Sequence, residues 1–132
     1  MPRERGCKRL TASLKDRRIL IVEDESMISM LIEDMLTDMG CVIAGTASQL
    51  QDATAKVASL AFDAAILDVN LNGSQTYPVA QALTDRRIPF VISTGYGAAG
   101  VPDAFANVPI LGKPFDANEL ERALLTALRD RA

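Results

Sequence analysis

The sequence lacks several features that mark particular classes of protein. It has no histidine or tryptophan, only two cysteines and 5% aromatic residues. Cys7 and Cys41 have neither the number nor the spacing of a disulfide framework or a zinc site. The charge-free stretch 88–102 contains three glycines and two prolines and is too short to cross a bilayer. No apolar segment with a small-residue cleavage site follows the N-terminus, so we expect a cytoplasmic protein without membrane insertion.

Length and composition favour one soluble globular domain. The chain has 132 residues, of which 48% are hydrophobic and 23% are charged, as in proteins that fold alone around a single core. Residues 1–18 carry seven basic and two acidic residues, a net +5, and the rest carries seven basic and fifteen acidic residues, a net −8. We therefore divide the chain into a basic N-terminal extension, 1–17, and a folded domain, 18–132. A phosphate backbone would repel the acidic domain, which argues against direct nucleic-acid binding.

Short apolar runs alternate with segments of helical periodicity, a pattern typical of a parallel sheet covered by helices on both faces. Strands are predicted at 19–22, 41–44, 64–67, 89–93 and 108–111, and helices at 28–39, 48–60, 78–86, 95–107 and 116–128. Two glycines and a proline inside the fourth of these helices disfavour helical backbone. We therefore expect that helix to be short or mobile.

Three signals indicate where helices begin and end. Gly40 stands where a glycine commonly ends a helix, directly after the first helical segment. Ser48 with Gln51, and Asp116 with Glu119, have the spacing of a capping box at a helix N-terminus. These signals predict the end of the first helix and the beginnings of the second and the last.

Polar residues of particular types stand at the ends of the predicted strands. Glu23 and Asp24 follow the first strand, and Asp68 closes the third. Thr94 and Lys113 follow the fourth and the fifth. Each residue alone could be an ordinary helix cap, turn residue or surface charge. Because the carboxyl ends of parallel strands share one edge of a sheet, where such sheets bind their ligands, we expect all five to form one site.

Three carboxylates, a hydroxyl and an amine in one place suit metal-assisted phosphoryl chemistry. A carboxylate can attack phosphorus only if the charge of the phosphoryl group is neutralised, so a cation is required. Mg2+ takes a shell of oxygen ligands that carboxylates can supply. Lys113 adds a second positive charge for the phosphoryl oxygens, and Thr94 adds a hydroxyl donor.

Four strings in the sequence carry a resemblance to a known family. ILIVEDE at 19–25, ILDVNLNG at 66–73, ISTG at 92–95 and GKPF at 112–115 resemble, in this order, the receiver domain of two-component response regulators. The resemblance extends over 18–131. It implies a flavodoxin-like, doubly wound sheet of five parallel strands in the order 2-1-3-4-5. It also implies a signalling receiver that catalyses only its own phosphorylation and dephosphorylation, not an enzyme acting on a separate substrate.

The resemblance implies roles for the acidic residues. Asp68 would be the phosphoacceptor. Mg2+ would be the cofactor, bound by Glu23 and Asp24 either directly or through water. Asp68 and the backbone carbonyl of Asn70 would complete the protein ligands of the metal.

The resemblance also implies roles for residues after the fourth and fifth strands. Thr94 would be the switch hydroxyl, and Lys113 the phosphate-sensing lysine, with Pro114 after a peptide that is typically cis in this family. Receivers commonly have an aromatic residue three positions before the lysine, where this chain has Ile110. The string FVISTGYG around Thr94 resembles the FATGUY receivers of alphaproteobacteria, which lack that aromatic residue. Tyr96 could carry part of the signal or could merely cover the core.

The expected partners follow from the same resemblance. Because the chain has no histidine, its phosphoryl group must come from a sensor histidine kinase or a histidine phosphotransfer protein. The sequence after the last predicted helix is too short for an output domain, so we expect output through a protein partner, as a switch or as a phosphate sink. The segment 95–107 is the expected two-state element, with an equilibrium that phosphorylation shifts.

Two alternative functions fit this sequence less well. A haloacid-dehalogenase-type phosphatase also places a nucleophilic aspartate after an apolar strand and uses Mg2+. It requires a second aspartate two residues on, where this chain has Asn70, whose amide cannot serve as that general acid and base. A pseudo-receiver with a structural role only would be expected to lose the acids or the lysine, and this chain retains them.

Overall fold

The computed structural model describes residues 14–95 and 101–131 of the chain. Within these ranges the strands are β1 (Arg18–Val22), β2 (Val42–Ala47), β3 (Ala64–Asp68), β4 (Asn70–Leu71), β5 (Ser74–Gln75), β6 (Phe90–Thr94) and β7 (Ile110–Gly112). The helices are α1 (Ser26–Asp38), α2 (Leu50–Ser59), α3 (Tyr77–Asp85) and α4 (Ala117–Arg131), with a short 3-10 helix at Asp103–Phe105. Each predicted strand is present, with ends that differ by no more than three residues. None of these helices is long and apolar enough to span a membrane.

Five strands form one parallel sheet in the order β2-β1-β3-β6-β7. Because β6 and β7 are the fourth and fifth predicted strands, this is the predicted order 2-1-3-4-5, and the doubly wound fold is confirmed. The strand order reverses between β1 and β3, so a crevice opens at the carboxyl ends of these two strands. β4 and β5 pair as an antiparallel hairpin directly after β3, where no strand was predicted.

The sheet is buried on both faces because alternate residues of each strand point to opposite sides. One face forms the α2/α3 core, in which Leu20, Leu67 and Ile92 pack against α2 and α3. The other forms the α1/α4 core, in which Ile66 and Val91 pack against α1 and α4. Burying each of these side chains contributes about 1.5–3 kcal/mol. The two cores therefore hold the ends of the central strands in fixed positions.

Two of the three predicted helix signals are confirmed. α1 ends at Asp38, and Gly40, the residue after its C-cap Met39, has φ +88°. The N–H of the next residue, Cys41, donates to the carbonyl of Leu36 at 3.0 Å. This pairing is the Schellman motif, which favours glycine because of the positive φ. Before α4, the Glu119 N–H donates to Asp116 Oδ1 (2.8 Å) and the Asp116 N–H donates to Glu119 Oε1 (3.0 Å). These two bonds are the predicted capping box.

The capping box predicted from Ser48 and Gln51 is wrong. The N-cap of α2 is Gln49, which makes no side-chain cap hydrogen bond. With this start the third helical residue is Asp52, not Gln51. The Asp52 carboxylate accepts a hydrogen bond from Lys56 Nζ at 2.9 Å instead of capping the helix. The helix begins one residue later than the pattern requires.

In the part of 95–107 that the structure describes, the 3-10 helix is the only helical element at the place of the predicted fourth helix. Pro102 precedes it with extended backbone at φ −61° and ψ 153°, and such a residue cannot belong to an α-helix. Phe105 is 6% exposed and packs into the α2/α3 core. The expected short element is confirmed, and the expected fifth α-helix is absent from the described residues. Residues 96–100 lie outside them, so the expected mobility stays a prediction.

Residues 14–17 of the predicted extension pack onto the domain. Leu14 is fully buried in the α1/α4 core, and the Asp16 N–H donates to the carbonyl of Gly40 at 2.8 Å. The Cys41 thiol donates to the carbonyl of Leu14 at 3.4 Å. Burial, and then the charge of Glu121, raise the pKa of this thiol to about 11. A thiol with so high a pKa is unreactive, as expected of a buried cysteine.

Candidate functional site

The carboxyl ends of β1 and β3 bring three acidic side chains together. Glu23 and Asp24 follow β1 directly, and Asp68 is the last residue of β3. Each side chain offers one carboxylate oxygen, and these oxygens lie within 4.8 Å of one another. Glu23 is 4% and Asp68 7% exposed, and Asp24 is half-buried. The cluster therefore lies largely inside the crevice rather than on the open surface.

Lys113 joins this cluster from the loop after β7. Its Nζ donates to Glu23 Oε1 and to Asp68 Oδ2, each at 3.0 Å. Its backbone N–H donates to the carbonyl of Thr94 at 2.9 Å, which ties the loop to the end of β6. The peptide between Lys113 and Pro114 is cis, as the resemblance to receivers implies.

At Glu23 and Lys113, burial and the hydrogen bond between the two side chains shift the pKa in opposite directions. Burial is the main cause that raises the pKa of Glu23 from 4.5 to about 7, and the charge of Asp68 adds to it. The hydrogen bonds from Lys113 and from the Glu25 N–H lower that pKa only in part. Burial by itself lowers the pKa of Lys113, but hydrogen bonds to Glu23 and Asp68 outweigh it and the pKa is raised overall. Lys113 is therefore a permanent cation, whereas Glu23 gains and loses a proton near neutral pH.

The β4–β5 hairpin ties the ends of β1 and β3 to each other. The Asn72 N–H donates to Asp24 Oδ2 at 2.9 Å, and the Asn70 N–H donates to Asp68 Oδ1 at 3.2 Å. The Asn70 side chain accepts from the Gly73 N–H at 2.8 Å. Asn72 and Gly73 have φ of +52° and +90°, as in a type I′ turn. The Asn-Gly pair is the strongest short-range hairpin signal, so this hairpin could have been predicted from the sequence.

Thr76 is a buried residue of the site that the sequence did not reveal. It is 1% exposed, and its hydroxyl contacts the carbonyl of Asp68 at 2.5 Å and that of Val69 at 3.1 Å. Its backbone N–H also donates to the carbonyl of Val69 at 2.9 Å. No local pattern marks Thr76, because its partners lie on the other side of the hairpin.

Thr94 and Ile110 lie on the neighbouring strands β6 and β7. Thr94, the last residue of β6, is 3% exposed. Ile110, the first residue of β7, packs partly buried against the α2/α3 core. Phe105, in the 3-10 helix, stacks on Tyr77 with ring centroids 5.9 Å apart and ring planes 13° apart. Tyr96 lies outside the described residues, so its two interpretations stay open.

The sequence and the geometry of this site match one family. The family model for the response regulator receiver domain matches residues 19–125. This chain is a response regulator receiver domain. The resemblance and the fold inferred from the sequence are thereby confirmed, and a haloacid-dehalogenase-type phosphatase is not the family of this chain.

Relatives and solved structures agree with this family. SdrG from Sphingomonas melonis Fr1 is 43% identical, with a TM-score of 0.78, over 86% of this receiver domain and 97% of that chain. The PhyR receiver domain from Erythrobacter litoralis is 28% identical, with a TM-score of 0.78, over 89% of this chain and 93% of that one. The transcriptional regulatory protein TcrA of Mycobacterium tuberculosis is 33% identical over 88% of this chain and 47% of its own length. The receiver domain spans about half the length of the curated relatives it matches.

Proposed function

We propose that this receiver domain accepts a phosphoryl group on Asp68, in a Mg2+-dependent reaction, from a phosphohistidine of a sensor histidine kinase or a histidine phosphotransfer protein. The observation that carries the proposal is the place of the Asp68 carboxylate. It lies in a buried cluster with Glu23 and Asp24 and 3.0 Å from the ammonium group of Lys113. A nucleophile flanked by a cation and by acids suited to a metal is the arrangement that phosphoryl transfer requires.

The donor set of the site fits Mg2+. Glu23, Asp24 and Asp68 offer three carboxylate oxygens within 4.8 Å of one another, and Mg2+ prefers a few carboxylate ligands together with water. We propose that the backbone carbonyl of Asn70 completes the set of protein ligands. When bound, Mg2+ would neutralise charge on the carboxylates and on the incoming phosphoryl group.

The residues of the chain then have distinct parts in the transfer. One carboxylate oxygen of Asp68 forms a bond to phosphorus while the bond from phosphorus to the donor imidazole nitrogen breaks, and the imidazole takes up a proton. Lys113 donates to a phosphoryl oxygen, which its distance of 3.0 Å from Asp68 Oδ2 supports. Thr94 is the last residue of the strand beside Asp68. Its hydroxyl donates a hydrogen bond to another phosphoryl oxygen, and Thr94 acts as the switch residue.

An apolar surface next to the site suits the docking of the phosphodonor. Met27, Met30 and Leu31 of α1 are 77%, 63% and 55% exposed, and α1 begins three residues after Glu23. Large exposed apolar side chains that lie close together mark protein interaction sites. A donor that brings its histidine to Asp68 must approach this edge of the sheet, so we assign the α1 surface to it.

Phosphorylation would reach an output partner through the segment 95–107. Thr76 contacts the carbonyl of Asp68, and the next residue, Tyr77, stacks on Phe105 within that segment. These contacts support a shift of the segment between two conformations. The shifted segment would then be presented to a protein partner, or the domain would serve as a phosphate sink. Amide exchange of the segment that is identical with and without a phosphoryl mimic would contradict the shift.

The proposal is tested with small phosphodonors. We expect acetyl phosphate or phosphoramidate to add one phosphoryl group, removable by hydroxylamine, in the presence of Mg2+ and not of EDTA, as followed by intact mass. Asp68→Asn should show no adduct, and Asp38→Asn, at an exposed position in α1, should behave like the wild type. A pseudo-receiver would show no adduct on the wild type, and an equal adduct on Asp68→Asn would rule out Asp68 as the acceptor.

A further inference from the structure

The pairing of β4 with β5 determines which way the backbone of Asn70 points. The two strands pair on either side of the Asn72–Gly73 turn, with Asn70 opposite Gln75. One position further from the turn, the Thr76 N–H donates to the carbonyl of Val69 at 2.9 Å. Hydrogen-bonded pairs alternate with pairs that are not hydrogen-bonded along antiparallel strands. The N–H and the carbonyl of Asn70 therefore point away from Gln75, to the outer edge of the hairpin.

This outer edge faces the acidic cluster. The Asn70 N–H donates to Asp68 Oδ1 at 3.2 Å. The N–H and the carbonyl of one strand residue lie on the same edge of the strand, because a bonded pair of residues exchanges both hydrogen bonds. The Asn70 carbonyl is therefore directed to the side of the Asp68 carboxylate, where the proposed set of Mg2+ ligands requires it.

Thr76 holds the base of the hairpin in this arrangement. Its hydroxyl contacts the carbonyls of Asp68 at 2.5 Å and Val69 at 3.1 Å, the two residues directly before Asn70. Thr76 is 1% exposed, so these contacts are made away from water, where a hydrogen bond is stronger. Its own carbonyl accepts from two N–H groups in the first turn of α3. The hydroxyl is thus fixed to the helix on one side and to the peptides before Asn70 on the other.

The hairpin by itself is too short to fix the direction of the Asn70 carbonyl. β4 and β5 have two residues each, and a two-stranded hairpin is marginally stable even when it is longer. The tip of the hairpin is tied to Asp24 through the Asn72 N–H, whereas Thr76 ties its base. Without the Thr76 hydroxyl, the peptides after Asp68 would be free to rotate, and the Asn70 carbonyl would rotate with them.

We infer that Thr76 is a positioning residue of the metal site, whose hydroxyl holds the hairpin so that the backbone carbonyl of Asn70 faces the cation. The inference rests on the proposed function, which assigns Mg2+ to Glu23, Asp24, Asp68 and Asn70. Thr76 is not itself a ligand. It acts through the backbone that carries a ligand, as groups behind metal ligands commonly do.

The test measures the Mg2+ affinity of the full chain by isothermal titration calorimetry, at a temperature at which every variant is folded. We expect Thr76→Val to bind Mg2+ about ten-fold more weakly than the wild type, the lower end of the effect of removing a group that orients a metal ligand. Thr76→Ser restores the hydroxyl and should bind like the wild type. Thr76→Cys has only a weak donor and should be intermediate, which keeps the comparison valid if the Val variant does not fold.

Val57→Ala is the control for a loss of stability without a change at the site. Val57 is 1% exposed, and its carbonyl accepts from Arg86, at the opposite end of α3 from Thr76. The substitution removes buried methyl groups and lowers the stability of the domain, but its Mg2+ affinity should equal that of the wild type. A merely structural Thr76 would behave in the same way, with lower stability and unchanged affinity.

The outcomes separate the inference from the function on which it rests. A wild type that does not bind Mg2+, or that binds it equally well after Asp24→Asn, would overturn the proposed site and with it the role of Thr76. A wild type that binds at the acidic cluster, with no loss of affinity in Thr76→Val and Thr76→Cys, would overturn the role of Thr76 alone. Binding in Thr76→Ser or Val57→Ala that is as weak as in Thr76→Val would do the same, because the hydroxyl would then not be the cause.

Discussion

At the scale of single residues, the unusual group is a buried glutamate with a pKa near neutrality. Burial raises the pKa of Glu23 to about 7 even though Lys113 contacts it at 3.0 Å. In the unfolded chain the same carboxyl has the ordinary value of 4.5. The folded protein therefore binds this proton more tightly than the unfolded chain, so Glu23 favours folding below pH 4.5 and loses that contribution as pH rises through 7.

The first prediction concerns this pH dependence. In EDTA, the free energy of unfolding of the wild type should fall between pH 5 and pH 8, and Glu23→Gln should remove most of that fall because the amide does not titrate. Urea denaturation at the two pH values measures it, with Glu25→Gln, at an exposed position, as the control that keeps the wild-type slope. An equal slope in Glu23→Gln and the wild type would contradict the assignment of the proton to Glu23.

At the scale of elements, Thr76 joins the end of β3 to the beginning of α3. Its hydroxyl contacts the carbonyls of Asp68 and Val69, while its own carbonyl accepts from the N–H groups of Val79 (2.9 Å) and Ala80 (3.0 Å) in α3. One residue thus positions the strand that ends in Asp68 relative to the helix that follows.

The second prediction tests this link. Thr76→Val keeps the shape of the side chain and leaves a buried carbonyl without its donor, which should cost about 1–3 kcal/mol in the free energy of unfolding. Thr76→Ser should recover most of the loss, because it restores the hydroxyl. Thr84→Val is the matched control, since the Thr84 hydroxyl is on the exposed side of α3 and bonds to the carbonyl of Ala80. Urea denaturation measures the free energy of unfolding of these variants. Equal losses in Thr76→Val and Thr84→Val would show that the hydrogen bonds of the Thr76 hydroxyl add nothing particular to stability.

At the scale of the whole molecule, the fold gathers acids from distant parts of the chain. The three carboxylates come from the ends of β1 and β3 and lie together only in the folded protein. A cation that binds them therefore binds the folded state and not the unfolded one. By mass action it stabilises the entire domain, by about 2.7 kcal/mol at one hundred times its dissociation constant.

The third prediction is that Mg2+ raises the melting temperature of the wild type in a saturable manner. Asp24→Asn removes one of the clustered carboxylates and should lose most of this increase, whereas Asp38→Asn should retain it. Differential scanning calorimetry over a series of Mg2+ concentrations at constant ionic strength measures both. A rise that is the same in Asp24→Asn as in the wild type would mean that the ion acts elsewhere on the acidic surface.

The sequence alone determined the order of the strands in the parallel sheet, the family and the residue types of the candidate site. This was possible because strand and helix periodicity are local, and because the carboxyl ends of parallel strands always meet at one edge. Glu23, Asp68 and Lys113 could therefore be placed together from their positions at the ends of predicted strands. The end of α1 before Gly40 and the beginning of α4 at the Asp116–Glu119 pair could also be predicted, because a helix end is set by a few adjacent residues.

Only the tertiary structure decided which groups bond to which. Lys113 meets Asp68 across 45 residues and Glu23 across 90, and the raised pKa of Glu23 results from burial that no short pattern encodes. Thr76 looks like an ordinary loop residue in the sequence, and only the folded hairpin brings its hydroxyl to the carbonyl of Asp68. The physical reason is that propensity acts over a few residues, whereas burial and hydrogen-bond partners are set by packing between distant segments.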